Sequence, residues 1–554
     1  MMFHNESGAL YLRDRLILNA EVTDVKVLCK LGEEGHLTRL MFSQDGTSFT
    51  LPFIESNAPG PIRLNSMDPR LVCVDQKGKP TDTQFRAFLQ NAVSERLRTG
   101  QVGVAFSRHG WEVLPSGAHV YVAGDRILGE IGDADYHISP AVSQVTLPDL
   151  PDESDRFIVS KHLKKMAKDP HVLILISAHL FRSLLQTPFE EVGYPLHHVL
   201  YVDGVYGSGK TTASTNFCMV FSSSESAEPT NITRVMTSHA AVREFLSDKR
   251  DVAVLADDVC TSSDPETQRK CKGIAAYVVR FSADRVPERI KVNGALHEFR
   301  CRAGVIITGE FPLEQASDLS RCAAVWVDHQ MRGGELDDRL VAAAAASRFL
   351  EYFARNYDRL CAEIQTALRA LDPSTCTNCS PRQQAILLEL SCAFQLYLDF
   401  ALEIGVLNPT EREQWQCALD RALSASLSRS NQLIEQFKRR NVTNLAETLL
   451  IAIAGESLRI AKNQAKFESS PESYAGFRRD NTIFVPLDAL ADLLTSTTGR
   501  VWTKNQVGQR LRACGLIEVG KENRSAKHKL PGLGRFVAID IRTLKKQANP
   551  TSNS

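Results

Sequence analysis

The spacing of apolar and polar positions changes along the chain and divides it into regions of different predicted structure. Residues 1–150 contain short segments in which apolar positions alternate with polar ones or form brief apolar runs between turn sequences. This pattern is typical of β-strands joined by turns. One helical pattern, at residues 83–98, interrupts the strands. We therefore expect a strand-rich α+β region at residues 1–150.

Helical patterns alternate with continuous apolar runs in residues 155–335. Examples of the runs lie at 199–202, 251–256 and 304–307. Such runs are typical of parallel strands that are covered by helices on both faces. The pattern predicts an α/β core built on a parallel sheet, with functional side chains at the carboxyl ends of its strands.

The predicted secondary structure changes twice more in the rest of the chain. Residues 336–465 are almost entirely helical in pattern and predict a helical lid or bundle. Residues 466–546 give two helical patterns and then a basic hairpin pattern, which is the order of a winged helix-turn-helix. We expect a multidomain α/β protein with these four regions.

The composition is that of an ordinary globular protein, with 43% hydrophobic and 23% charged positions in 554 residues. The formal net charge is zero, so any surface for nucleic acid must be local. The 13 cysteines are scattered, which suits reduced thiols. The N-terminus lacks a signal-peptide pattern, and no apolar run reaches the ~18 residues that cross a bilayer. We expect a cytoplasmic protein without a membrane partner.

Residues 204–211 have the sequence Gly-Val-Tyr-Gly-Ser-Gly-Lys-Thr, which fits the phosphate-binding pattern G-x-x-x-x-G-K-[ST]. An apolar strand pattern precedes the loop and a helical pattern follows it, as the motif requires. Lys210 is expected to reach the β- and γ-phosphates of ATP, and the Thr211 hydroxyl to bind Mg²⁺. The expected nucleotide contacts are Gly204, Gly207, Ser208, Gly209, Lys210, Thr211 and Thr212.

Polar residues follow the next two apolar runs. Asp257 and Asp258 come after the run at 251–256, and we expect Asp257 to hold Mg²⁺ and Asp258 to polarise the attacking water. The alternative for this pair is a solvated turn. Thr308 ends the run at 304–307 and could contact the γ-phosphate or the water, or simply cap the strand.

Arg321 precedes a further strand pattern, at residues 323–328. An arginine at this position lies on the far side of the sheet from its own nucleotide and could reach the γ-phosphate bound by a neighbouring subunit. Such arginine fingers strongly accelerate phosphoryl transfer. The alternative is an exposed arginine that forms a salt bridge.

This order of motifs resembles the AAA+ class, and the chain as a whole resembles the MCM-like replicative helicases of bacterial mobile genetic elements. The resemblance spans roughly residues 85–330 and includes the C-terminal winged-helix pattern. It is carried by a Gly110-Trp111 hairpin, the loop 204–211, Thr308-Gly309-Glu310 and Ser320-Arg321. The resemblance implies a P-loop ATPase that works as a ring, a hexamer. The family usually has Glu where this chain has Asp258.

Two basic segments indicate DNA as the partner. Residues 500–546 contain twelve lysines and arginines but three acidic residues, a net charge of +9. A second segment follows residue 280, where insertions in ring ATPases line the central channel. The alternatives are a winged helix that binds protein and an exposed charged hairpin. The predicted contacts to single-stranded or forked DNA are Arg285, Arg289, Lys291, Lys504, Arg510, Arg512, Lys521, Arg524, Lys527 and Lys529.

Three functions are compatible with these patterns. The first is an ATP-driven DNA helicase or translocase that acts in the replication of a mobile element. The second is an ATP-switched DNA-binding initiator or loader that does not unwind DNA. The third is a protein-remodelling or defence ATPase whose winged helix binds protein.

Overall fold

The computed structural model forms two compact units, Met1–Asn431 and Gln432–Ser554. The residues that it describes are 3–31, 35–55, 62, 64–73, 83–132, 135–139, 147–148, 150–221, 232–234, 237–259, 264–292, 295–310, 313, 315–328, 331, 336–369, 380–498, 502–517, 528–530 and 534–548.

The first part of unit 1 is rich in strands, as the period-two patterns predict. Its sheets have the orders β1-β2-β3, β12-β8-β4-β5-β6 with β7 beside β5, and β11-β10-β9. The helix expected at residues 83–98 is α2. The elements are β1 (Phe3–Glu6), β2 (Ala9–Leu12), β3 (Arg15–Leu18), β4 (Glu21–Lys30), β5 (His36–Gln44), β6 (Thr47–Thr50), β7 (Ile54–Glu55), α1 (Leu64–Met67), α2 (Thr83–Thr99), β8 (Gly103–Phe106), β9 (Gly110–Val113), β10 (His119–Ala123), β11 (Arg126–Leu128) and β12 (Tyr136–Ile138).

The second part of unit 1 contains the parallel sheet that the apolar runs predict. The elements are α3 (Asp155–Met166), α4 (Pro170–Leu184), α5 (Gln186–Glu191), β13 (Val199–Gly204), α6 (Lys210–Cys218), β14 (Ile232–Arg234), α7 (His239–Asp248), β15 (Arg250–Val259), α8 (Pro265–Asp284), β16 (Glu288–Val292), β17 (Ala295–Phe299), β18 (Arg302–Gly309), α9 (Ala316–Leu319) and β19 (Cys322–Val327).

The sheet order is β14-β15-β18-β13-β19, and each neighbouring pair is parallel. The strands are apolar on both faces because helices cover both sides: every residue of β13 is buried. One covering helix, α4, is buried from Val172 to Leu184, which is the pattern of a helix inside a core. The carboxyl ends of all five strands therefore meet at one edge of the sheet.

The helical pattern after residue 336 corresponds to α10 (Leu336–Arg355), α11 (Tyr357–Arg369), α12 (Pro381–Glu403) and α13 (Pro409–Ala454). Within the described part of the chain, α12 alone combines the length and apolar composition of a membrane-spanning helix, with a mean hydropathy of 1.6. The apolar runs of the sequence predict no such helix. However, 61% of the 18-residue apolar stretch of α12 is buried inside the protein, as in a core helix.

Unit 2 contains a mixed sheet and two adjacent helices. Its sheet order is β20-β21-β22-β24-β23, and α15 and α16 precede the β23–β24 hairpin as the sequence predicts. Thr503 caps α16 through a reciprocal capping box with Gln506. The elements are β20 (Ile460–Ala461), α14 (Gln464–Ser469), β21 (Gly476–Arg479), β22 (Thr482–Val485), α15 (Leu487–Thr498), α16 (Lys504–Ala513), β23 (His528–Leu530), β24 (Gly534–Asp540) and α17 (Ile541–Ala548).

Candidate nucleotide site

The glycine-rich loop connects β13 to α6 at the carboxyl edge of the parallel sheet. Gly207 and Gly209 have φ of +72° and +88°, the left-handed region that glycine adopts without strain. Gly204 lies against β19, where an added β-carbon would approach the Val327 carbonyl oxygen to 2.2 Å. Ser208 is buried within the loop. The strand, loop and helix therefore have the context that the phosphate-binding pattern needs.

Lys210 is the first residue of α6, and its side chain lies inside the loop. Its Nζ donates to the carbonyl oxygens of Gly204, at 3.0 Å, and Val205, at 2.8 Å. The residue is only 8% exposed. Burial lowers the pKa of Lys210, while Glu310 and other nearby carboxylates oppose the shift. The loop thus holds a cation beneath backbone N–H groups, which is an arrangement suited to phosphate.

The structure brings Asp257, Thr211 and Thr308 together. Thr211 Oγ1 donates to Asp257 Oδ1 at 2.9 Å, and Thr308 Oγ1 donates to the same carboxylate oxygen. The backbone N–H of Asp258 lies 3.4 Å from Thr308 Oγ1. Hydroxyl and carboxylate oxygens are the ligands that Mg²⁺ prefers. Thr211 and Asp257 therefore fit the metal that a phosphate loop uses.

A β-bulge directs the two aspartates. The register between β15 and β18 shifts between Ala256 and Val259, and Asp258 has φ of +73°. A bulge turns successive side chains away from strict alternation, so adjacent residues can serve one site. Asp258 is accordingly exposed, whereas Asp257 is half-buried against the two threonines.

One cavity of about 300 Å³ unites these groups. Four of its lining residues, Tyr206, Val259, Gly309 and Glu310, are absent from the contacts that the sequence predicts. Tyr206 is 89% exposed at the mouth of the cavity, and Glu310 follows β18. Its lining residues are Tyr206, Gly207, Gly209, Lys210, Thr211, Thr212, Asp257, Asp258, Val259, Thr308, Gly309 and Glu310.

A buried ion pair supports the phosphate-loop strand from behind. Asp203, the residue before Gly204, is fully buried, and Arg429 of α13 donates to its Oδ2 at 3.0 Å. The Arg429 guanidinium also lies 4.5 Å from the ring centroid of Trp326 on β19. Burial raises the pKa of Asp203, while Arg429 opposes the shift. An aspartate at the end of an apolar strand indicates a buried carboxylate in need of a partner, but it does not identify Arg429.

Arg321 lies at the opposite end of the sheet from the cavity. Its carbonyl oxygen accepts from Val199 N–H, at the start of β13, at 3.0 Å. Its guanidinium donates to Asp284 at 2.7 and 3.0 Å and to the Ser317 carbonyl oxygen at 2.6 Å. Arg321 is therefore absent from the nucleotide cavity of its own chain, and a role at a neighbour's site stays a prediction.

The interpretation of Arg285 as a DNA contact is wrong. The residue is 7% exposed, and its guanidinium donates to the carbonyl oxygens of Leu196, Cys301 and Ala303 and to Gln186 Oε1. It caps α8 with φ of +51°, and its side chain points into the interior. These hydrogen bonds tie the residue to α5, to β18 and to the segments before β13 and β18, so Arg285 has a structural role.

The other predicted DNA contacts of unit 1 belong to the β16–β17 hairpin. Arg289 and Lys291 are exposed on β16, and Arg289 Nε is paired with Glu298 Oε2 of β17 at 3.0 Å. Both side chains are available to a ligand. Their contact with DNA stays a prediction.

In unit 2, the described basic residues of the α16 segment lie at its surface. Lys504 is exposed and pairs with Asp488 Oδ1 at 2.6 Å. The Arg510 guanidinium lies 5.2 Å from the Trp502 ring centroid, and Arg512 Nε donates to the Gly508 carbonyl oxygen at 3.1 Å. Lys529 is in β23. Lys521, Arg524 and Lys527 lie outside the described residues.

The Gly110-Trp111 hairpin docks on the amino end of β15. Trp111 N–H donates to Asp251 Oδ2 at 3.1 Å, and its indole Nε1 donates to the Leu184 carbonyl oxygen at 2.8 Å. Thr187 also donates to the Asp251 carboxylate, from its N–H at 2.8 Å and its hydroxyl at 2.7 Å. Gly110 has φ of +95°, and an added β-carbon would come within 2.6 Å of Asp251 Oδ2. The glycine is thus required by close approach of the carboxylate.

Comparison with known proteins supports the fold. No family model matches the chain, and no curated protein sequence matches it. Among solved structures, the Cch active helicase of SCCmec type IV is similar over 98% of both chains, with a TM-score of 0.59 and 10% identity. The NrS-1 C-terminal region has a TM-score of 0.28 at 9% identity, over 93% of this chain and 96% of that one. A JCV helicase with a bound inhibitor has a TM-score of 0.20 at 12% identity, over 40% and 72%.

The fold and the geometry of the loop together define the structural class of the protein. The parallel sheet, the glycine-rich loop after its β13 strand and the acidic bulge on β15 make this a mixed α/β protein whose loop fits the phosphate-binding pattern. At the level of the whole chain, the fold is similar to that of the Cch active helicase.

Proposed function

We propose that this chain is an ATPase that uses hydrolysis to translocate along or unwind DNA. The observation that carries the proposal is the convergence of Lys210, Thr211, Asp257 and Thr308 around one cavity, with Asp258 beside them. Phosphoryl transfer needs positioned cations, a metal site and an aligned water more than covalent chemistry by the protein. Each of these requirements has a residue of suitable chemistry at this edge of the sheet.

Each residue of the site is assigned a role that suits its chemistry. Lys210 and the loop N–H groups bind the phosphates, and Thr211 with Asp257 would hold Mg²⁺. Bound Mg²⁺ supplies positive charge to the phosphate oxygens. Asp258 is an exposed carboxylate that lines the same cavity and is assigned the polarisation of the attacking water. Thr308 holds the Asp257 carboxylate in place.

DNA is the proposed partner because of the local basic surfaces. The α16 segment and the β16–β17 hairpin present exposed cations in a chain of zero formal net charge. We assign unit 2 as a winged-helix DNA-binding region on the order α15, α16, β23–β24 hairpin. The fold-level similarity to an active helicase favours translocation or unwinding over loading alone. The proposed setting is cytoplasmic replication of a mobile element.

Hydrolysis and unwinding by purified protein test the proposal. Wild-type protein should hydrolyse ATP faster with single-stranded DNA and should separate a forked duplex. Lys210→Ala should lose both activities because it removes the cation that the loop holds for phosphate, while its melting curve stays near that of wild type. Wild-type turnover by Lys210→Ala would show that the loop is not the catalytic site.

The outcomes also separate the alternatives. DNA-stimulated hydrolysis without strand separation would indicate an initiator or loader. Hydrolysis without any response to DNA would indicate a protein-remodelling or defence ATPase.

The proposed assembly is a ring, a hexamer in which Arg321 of one subunit serves the site of the next. Its place at the edge of the sheet remote from its own cavity supports this arrangement. The ion pair with Asp284 supplies the opposing explanation, a structural role. Asp284→Asn removes the ion pair and keeps the arginine, so it is the matched control for Arg321→Ala.

A further inference from the structure

A second cavity of unit 1 lies at the amino end of the parallel sheet, remote from the nucleotide site. It has a volume of about 310 Å³. Three segments enclose it: the turn before β9, the junction of α7 and β15, and the end of β17 with the start of β18. Its lining residues are Ser107, Arg108, His109, Ser247, Asp248, Lys249, Arg250, Glu298, Arg300 and Arg302.

The charge of this lining is strongly positive. Five arginines and lysines face two carboxylates, and both carboxylates are engaged: Asp248 Oδ2 with Lys249 Nζ at 2.8 Å, and Glu298 Oε2 with Arg289 Nε at 3.0 Å. Arg250 is held by Glu112 at 2.9 Å. Neither lining carboxylate forms an ion pair with Arg300 or Arg302 in the part of the chain that the structure describes.

Arg300 and Arg302 are the clearest uncompensated charges. Within the described residues neither forms an ion pair, and the one hydrogen bond that the Arg300 side chain donates, to the Arg285 carbonyl oxygen, is 3.4 Å long. Burial lowers the pKa of Arg302, and the charges of Arg250 and Arg108 lower it further, although Glu190 opposes them. Crowding of cations costs free energy, and an anion bound among them would relieve it.

Neutral groups of the lining also suit an anion. Ser107 and Ser247 have buried hydroxyl groups without a hydrogen-bond partner in the described residues, and both are potential donors. His109 is neutral at physiological pH, since burial first and Lys249 second lower its pKa to about 4. Its Nε2 accepts from Arg250 N–H at 2.9 Å, so it fixes the β15 side of the cavity rather than adding charge.

We propose that this cavity, centred on Arg300 and Arg302, is a second DNA-phosphate site of unit 1, distinct from the predicted contacts on the hairpin and on unit 2. It lies next to the hairpin whose strand β16 carries the exposed Arg289 and Lys291, because β17 leads into Arg300 and β18 begins at Arg302. Its volume, equal to that of roughly ten waters, exceeds the need of one free phosphate. The inference rests on the proposed function, since it presupposes DNA as the partner.

The test is DNA binding by the full chain at several salt concentrations. Fluorescence anisotropy of a labelled oligothymidylate gives Kd, and the slope of log Kd against log salt counts the phosphate contacts. Arg300→Ala with Arg302→Ala should raise Kd roughly tenfold or more, since each side chain contributes a charge-assisted hydrogen bond. The salt dependence should weaken by about 1.4, which is the loss of two contacts to a single strand.

Two further variants make the result specific. Arg300→Lys with Arg302→Lys should keep the salt slope, since lysine binds phosphate as a point charge. Arg421→Ala is the matched control, because Arg421 is an exposed arginine of α13 whose side chain donates to the Cys417 carbonyl oxygen. It should bind DNA like wild type. If the double alanine variant does not fold, as judged by its melting curve, Arg300→Ala alone carries the test, since that side chain is exposed.

Unchanged Kd and salt slope in the double alanine variant would overturn the proposal and leave the proposed function intact, since wild type still binds DNA. Failure of wild type to bind the oligonucleotide would overturn both the cavity proposal and the DNA part of the proposed function. Equilibrium dialysis with ATP distinguishes a nucleotide ligand. Two ATP per chain in wild type and one in the variant, with DNA binding unchanged, would assign the cavity to a free nucleotide instead.

Discussion

Thr308→Val tests whether the Thr308 hydroxyl acts in catalysis. The residue is 2% exposed, and its Oγ1 donates to Asp257 Oδ1, the same oxygen that accepts from Thr211 at 2.9 Å. Valine fills the same volume, so the change deletes the hydrogen bond without opening a cavity. A hydrogen bond to a charged group contributes about 1.5–3 kcal/mol. If the bond matters only in the transition state, kcat should fall roughly 10- to 150-fold.

The assay measures kcat for ATP hydrolysis and, separately, Kd for ATP. Thr308→Ser is the control, because serine keeps the hydroxyl and should keep most of the rate. A fall in kcat with unchanged Kd would place the contact in the transition state. Wild-type kcat in Thr308→Val would refute the reasoning, as would an equal loss in the serine variant, since that loss would come from packing.

Three other variants test separate parts of the molecule. Asp258→Asn should bind ATP with wild-type Kd and lose turnover, because it removes the carboxylate assigned to the water; loss of affinity with normal kcat would make Asp258 the metal ligand instead. Arg321→Ala should hydrolyse ATP about 10³-fold more slowly and should recover part of the rate when mixed with Lys210→Ala. A mixture that stays inactive although mixed rings form would contradict a site shared between subunits. An equal loss of rate in Asp284→Asn would also contradict it. Gly110→Ala should weaken docking of the β9–β10 hairpin by about 1–2 kcal/mol because of the positive φ, and by more because of the clash with Asp251. Hydrogen exchange of the hairpin amides measures this loss, and Gly117→Ala is the control, since Gly117 has a similar φ but open space around it. Equal exchange in the two variants would refute the clash.

The residues of the candidate nucleotide site could be identified from sequence because they belong to local motifs that a general rule brings together. The loop at 204–211 has its own pattern, and Asp257 and Thr308 each follow an apolar run. Parallel strands bring such ends to one edge of a sheet, which is why the prediction that these residues act together has a structural basis. The same rule places Arg321 at the opposite edge of the sheet from the cavity, because Arg321 precedes strand β19 instead of following it.

Long-range pairings could not be predicted in this way. Asp203 and Arg429 are 226 positions apart, and nothing in either neighbourhood identifies the partner. Arg285 belongs to a basic segment and resembles a ligand contact, yet its side chain satisfies three carbonyl oxygens in the interior. Sequence periodicity reports which face of an element is apolar. It does not report where a single charged side chain turns inward at a helix end.

Strands β15 and β18 link the two ends of the sheet on which the proposals depend. Strand β15 begins at Arg250, beside the basic cavity, and ends at the bulge that carries Asp257 and Asp258. Strand β18 begins at Arg302 and reaches Thr308 near its other end. Both strands are buried over most of their length and pair with each other, with register shifts between Arg250 and Ala253 and between Ala256 and Val259. A ligand that shifts Arg302 therefore acts on the same strand that positions the Thr308 hydroxyl against the Asp257 carboxylate.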